Sequence, residues 1–150
     1  MTSPIVIVGG GFAGLYTALE LARRPGHPPL LLVEPRDRFV FLPFLYERLS
    51  GELPLWQMAP RYDALLAGHG IGWQRDRVAA VEPGSCDVVL ESGQRLGYSQ
   101  LVIATGAKPD SFGIPGVEEH ALRFHSLEDV EALQAQLPSI RNRVAVVGAG

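Results

Sequence analysis

A chain of 150 residues, 47% hydrophobic and 19% charged, is long enough to bury a core and too apolar to be disordered. Its net charge of −3 with no basic run excludes a nucleic-acid surface, and a single cysteine, Cys86, excludes a disulfide framework or a thiolate metal cage and favours a reducing compartment. No stretch reaches the ~18 consecutive apolar residues of a membrane span, and no basic segment precedes the first apolar run as in a signal peptide, so a soluble globular domain is expected.

Pro4-Ile5-Val6-Ile7-Val8 is a short β-branched run, the pattern of a parallel strand covered on both faces. It stops at Gly9-Gly10-Gly11. Leu15, Ala18, Leu19 and Ala22 then recur at helical spacing, and Pro25-Gly26 ends that helix. Leu30–Val33 reads as a second buried strand, completing a right-handed βαβ unit. The segment 39–55, broken by Pro43, Gly51 and Pro54, reads as a loop with one short helix near 45–49. Residues 58–66 read as a helix ending before Gly68. Residues 71–74 and 78–81 read as short strands, and 88–90 and 95–98 as a hairpin around Ser92-Gly93. Leu101–Ala104 is expected as a buried strand ending at Thr105-Gly106. Ser126 to Asp129 forms a capping-box pattern, with Asp in place of Glu, opening a helix to about Leu137. Val144–Val147 is expected as a last buried strand.

Within the first unit, Gly9-x-Gly11-x-x-Gly14 lies between strand and helix. Gly9 suits the tight turn, Gly11 lets backbone approach a pyrophosphate, and Gly14 lets the helix pack close to the sheet. The helix start adds N–H groups and the positive end of its dipole. Glu34 ends the second strand, 20 residues after Gly14, where a carboxylate accepts hydrogen bonds from a ribose 2′-OH. The set predicts dinucleotide binding. The fingerprint recurs 139 residues further on, from Gly9 to Gly148, as Val146-Val147-Gly148-Ala149-Gly150. The repeat stops in mid-turn, so the chain is expected to be the front part of a longer protein. As an isolated piece it is expected to be marginally stable.

Four ordered segments, VIVGGGFAGL, LLLVEPR, LVIATGAKPD and VAVVGAG, resemble the flavoproteins with two dinucleotide-binding domains. The resemblance covers the whole chain. It implies an α/β fold: a truncated Rossmann-like FAD-binding domain, with a parallel sheet, flanking helices and a small inserted antiparallel hairpin or meander. Residues 1–142 would form its front part, and 143–150 the opening strand and turn of an NAD(P)H-binding domain. FAD would then be held by Gly9, Gly11, Phe12, Ala13, Gly14, Glu34, Arg36, Val78, Ala104, Thr105 and Gly106. Gly148 and Gly150 would begin the NAD(P)H site. The run Arg38 to Tyr46, with Ser50-Gly51-Glu52-Leu53 and Trp56, resembles the type II NADH:quinone oxidoreductases, closest to the cyanobacterial and plastid branch. That implies hydride transfer from NAD(P)H to FAD and electron delivery to a quinone. It also implies a whole protein held peripherally on the cytoplasmic side of a membrane.

Other readings stay open. A ferredoxin- or rubredoxin-type NAD(P)H reductase shares the same motifs, and a catalytically inactive FAD-binding fragment fits the stop at Gly150. A simple NAD-dependent Rossmann dehydrogenase is opposed by Ala104-Thr105-Gly106 and the inserted hairpin. No redox cysteine pair follows the second strand, and Cys86 reads as a small residue beside the hairpin. His120 and His125 read as parts of a solvated loop, and no metal is expected. Phe39, Phe41, Phe44 and Trp56 are either walls of a flavin pocket or ordinary core. No catalytic residue is identified.

Overall fold

The computed structural model describes residues 2–141 and 143–148. The chain divides into two compact units, 1–40 with 59–108, and 41–58 with 109–150.

The first unit is built on a parallel sheet of β1 (Ile5–Val8), β2 (Leu30–Val33), β3 (Ile71–Gln74) and β7 (Gln100–Ile103), in the order β3-β2-β1-β7. Helix α1 (Phe12–Ala22) connects β1 to β2 and buries Gly14, Leu15 and Ala18. A three-stranded antiparallel meander, β4 (Val78–Glu82), β5 (Asp87–Leu90) and β6 (Arg95–Gly97), intervenes before β7. Strand alternation divides the sheet residues between two faces. Val6, Val8 and Val33 point to one face and form an apolar cluster with Val88 and Leu90 of the meander. Leu31, Leu101, Val78, Val81, Leu96 and Tyr98 pack around that cluster. Ile5, Ile7, Leu30 and Leu32, on the other face, are also buried. This two-sided cover is why both strands read as unbroken apolar runs rather than alternating ones.

In the second unit, a 3-10 turn (Leu42–Phe44) leads into α2 (Leu45–Ser50), which Gly51 ends in the left-handed conformation at φ +83°. Short helices α3 (Leu55–Met58) and α5 (Val117–His120) accompany α6 (Leu127–Gln136). The expected capping box is present at α6: Ser126 Oγ accepts from the Asp129 N–H at 3.2 Å, and Asp129 Oδ2 accepts from the Ser126 N–H at 2.9 Å. Gln134 of α6 donates to the Arg48 carbonyl at 2.8 Å, satisfying an end group of α2.

Three expectations need correction. The helix expected over 58–66 is broken: Met58 ends α3, and α4 spans only Tyr62–Leu66. Pro60 lacks an amide hydrogen and pushes Ala59 out of helical geometry. The β7 strand is not fully buried. It lies at one end of the described sheet, and Ile103 is 65% exposed. Val144–Val147 forms no strand, and Val147 is 97% exposed. β-branched residues favour an extended chain, but a strand exists only through its ladder, and none of the described strands pairs with this segment.

Candidate functional site

The glycine loop leaves β1 through a sharply constrained turn. Gly9 donates to the Val33 carbonyl at 2.9 Å and adopts φ +97°. A Cβ on Gly9 would strike the Ala104 carbonyl, whose carbon would lie 2.8 Å away. At Gly14 a Cβ would fall on the Gly9 carbonyl oxygen. Both glycines are therefore required by the protein's own packing. Gly11 is different. Its backbone, φ −65° and ψ −169°, is open to any residue, and a Cβ there would meet nothing within 4 Å. Among the described residues nothing needs glycine at position 11, so a loop that keeps this position bare suits a ligand that approaches the backbone closely. No side chain caps α1, whose positive end opens beside Gly11. These features fit a pyrophosphate.

Glu34, the residue after β2, is 2% exposed. Its Oε2 accepts from the Gly10 N–H at 2.7 Å and from Arg36 Nη2 at 3.0 Å. Its Oε1 accepts from the Arg36 N–H at 3.0 Å and Nε at 2.7 Å. Burial pushes the carboxyl up, but the hydrogen bonds from Arg36 and Gly10, with the guanidinium charge, outweigh it. They hold the group below its ordinary value of 4.5. Glu34 is thus a buried anion with two donors on each oxygen. Any further donor to this carboxylate would have to displace one of these four. The Arg36 side chain is 51% exposed, whereas the Glu34 side chain it holds is 3% exposed, so the pair closes the outer side of a buried carboxylate.

Tyr62 completes the arrangement and was not identifiable from sequence. Its side chain is fully buried, and its hydroxyl donates to the Gly10 carbonyl at 2.6 Å. Its ring lies 5.5 Å from that of Trp73, whose Nε1 donates to the Glu34 carbonyl at 3.0 Å. Burial, followed by the nearby Glu34 charge, pushes the phenol well above its ordinary value, so the hydroxyl remains a donor. A Cβ on Gly10 would run into the Tyr62 hydroxyl and lie 2.9 Å from Glu34 Cγ. The only sequence hint was the middle glycine of Gly9-Gly10-Gly11, at a position where the fingerprint asks for none.

The remaining expected residues fall as follows. Ala104, half-buried, faces Gly9, while Thr105 and Gly106 continue from it into solvent, Gly106 at φ +72°. Ala13 is exposed in the first turn of α1, and Phe12 meets Phe39 edge to face at 5.1 Å. Phe39 is buried at 8% exposure, whereas Trp56 is 69% exposed. Phe41 and Phe44 contact each other at 4.6 Å in the second unit. Val78 begins β4 and packs on the apolar cluster of the meander. Gly148 adopts φ +87° at the end of an irregular segment, and Gly150 lies outside the described residues. Among the described residues no helix is long and apolar enough to cross a membrane.

Residues 3–150 match the family described as pyridine nucleotide-disulphide oxidoreductase. The chain is 39% identical over 160 residues to demethylphylloquinone reductase NdbB of Synechocystis sp., covering 97% of this chain and 40% of that protein. It is 39% identical over 174 residues to the alternative NAD(P)H-ubiquinone oxidoreductase C1 of Arabidopsis thaliana, covering 97% of this chain and 33% of the relative. Among solved structures, the sulfide:quinone oxidoreductase of Aquifex aeolicus superposes with a TM-score of 0.84 at 27% identity. That match covers 92% of this chain and 32% of the other. The chain therefore spans two fifths or less of these relatives.

Proposed function

Because the chain belongs to the pyridine nucleotide-disulphide oxidoreductase family, we propose that it is the flavin-binding front of an FAD-dependent NAD(P)H dehydrogenase that delivers electrons to a quinone. The observation that carries this reading is the 39% identity, across 97% of the chain, to a demethylphylloquinone reductase. The residue geometry supports its first half. The bare Gly11 and the uncapped start of α1 would hold the pyrophosphate of FAD, with Phe12, Ala13 and Gly14 in the adjoining turn. Glu34 would take the ribose hydroxyls once Arg36 moves onto the outer side of the adenosine. Ala104, Thr105 and Gly106 would border the same nucleotide beyond β7, with Val78 at its edge. FAD, when bound, supplies hydride acceptance from NAD(P)H and onward electron transfer, while this chain's residues bind and orient it.

In the same reading, residues 1–142 form the front of the FAD domain. Residues 143–150 open the NAD(P)H domain, with Gly148 and Gly150 in its phosphate turn. A membrane-borne quinone would be met at a membrane surface, so the whole protein would sit peripherally on the cytoplasmic face.

The test uses the whole protein. Its denatured supernatant should contain FAD, and NADH or NADPH should reduce a soluble quinone faster than an iron–sulfur acceptor. A flavin-free supernatant refutes the FAD reading. Flavin with iron–sulfur but no quinone reduction replaces the quinone reading with a ferredoxin-type reductase.

A further inference from the structure

The glycine loop is oriented by two side chains remote in sequence, one on each of two successive peptide groups. The Gly10 N–H, held by Glu34 Oε2, belongs to the Gly9–Gly10 peptide; the Gly10 carbonyl, held by the Tyr62 hydroxyl, belongs to the Gly10–Gly11 peptide. A trans peptide is planar, with its N–H opposed to its C=O, and no described peptide is cis. Anchoring the Gly10 carbonyl on Tyr62 therefore aims the Gly11 N–H away from Tyr62, at the bare side of the loop.

The anchor matters because the loop is soft. Neither Gly10 nor Gly11 has a Cβ, so rotating the peptide between them meets little steric resistance. A rotated peptide would present carbonyl lone pairs, rather than an N–H, to an incoming anion. We propose that Tyr62 is a positioning residue for pyrophosphate binding: its hydroxyl locks the Gly10–Gly11 peptide so that the Gly11 N–H donates to the dinucleotide's phosphates. Tyr62 also explains the extra glycine. Its ring leaves no room for a side chain at position 10, and its hydroxyl restores the order that glycine there removes. The Trp73 ring beside Tyr62, tied through Nε1 to the Glu34 carbonyl, supports the phenol from the sheet.

This inference rests on the flavin reading, and its test separates the two. In the whole protein, Tyr62→Phe deletes only the hydroxyl and leaves the ring on Trp73. The apoprotein is titrated with FAD and, separately, with adenosine, which carries base and ribose but no pyrophosphate. The expected result is FAD affinity lowered about fivefold to tenfold, the worth of one buried hydrogen bond, with adenosine affinity unchanged. A merely structural tyrosine would weaken both ligands or neither, and either outcome overturns the proposal. Wild-type protein that binds no FAD overturns the flavin reading itself. Should Tyr62→Phe fail to fold, a crystal structure of the wild-type protein with FAD carries the test. The Gly11 N–H should lie within hydrogen-bond distance of a pyrophosphate oxygen while Tyr62 holds the Gly10 carbonyl, and any other arrangement overturns the proposal.

Discussion

Replacing Glu34 with glutamine probes the buried anion with the least change of shape. Each carboxylate oxygen faces two donors: Gly10 N–H and Arg36 Nη2 on one, Arg36 N–H and Nε on the other. A glutamine amide in either orientation turns its own NH₂ on two N–H groups. The guanidinium, half-exposed, re-solvates at little cost. The Gly10 N–H is buried and has no such escape, and a buried donor left without a partner costs about 1–3 kcal/mol. Glu34→Gln should therefore destabilise the protein by about 2 kcal/mol and weaken FAD binding about tenfold or more, since the ribose acceptor and the Gly10 anchor are lost together. Urea denaturation measures the first effect, and flavin fluorescence titration of the apoprotein measures the second. A variant with the wild-type midpoint and wild-type FAD affinity would refute the reasoning that Glu34 organises this loop.

Three further outcomes are expected. Glu34 has a folded-state pKa below its ordinary 4.5, so its stabilisation is complete above that pH and disappears as pH falls through the lowered value. Acid denaturation followed by circular dichroism should thus be shallower below pH ~4.5 in Glu34→Gln than in wild type, and superimposable curves would contradict this. Gly11→Val should fold normally and lose FAD, because its side chain enters only open space, whereas Gly14→Ala should fail to accumulate, because its methyl falls on the Gly9 carbonyl oxygen. Expression yield with flavin content distinguishes the two, and equal behaviour would contradict the contrast. Ser126→Ala removes the cap of α6 and should cost about 1 kcal/mol, read as faster amide exchange in residues 127–136; unchanged exchange there would show the cap to be idle.

The sequence by itself determined whatever depends on neighbours in the chain. The β1–α1–β2 unit was legible because strand periodicity, helix periodicity and the glycine turn act over a few residues each. The α6 capping box closes within four residues and was legible for the same reason. The position of Glu34 followed from the fixed lengths of one helix and two strands. Spacing could not say what that carboxylate touches. Its bond to the Gly10 N–H spans 24 residues, and the bond from Tyr62 to the Gly10 carbonyl spans 52. Tyr62 reads in sequence as an ordinary helical aromatic, and only the packing of α4 in the first unit makes it part of the loop. Likewise, Val144–Val147 has the composition of a buried strand, but a strand is a relation between segments. Local propensity favours its extended form, and only a partner's ladder could bury it. Tertiary structure thus decided which backbone groups are held, and by which distant side chains, because hydrogen bonds across a fold carry no fixed separation along the chain.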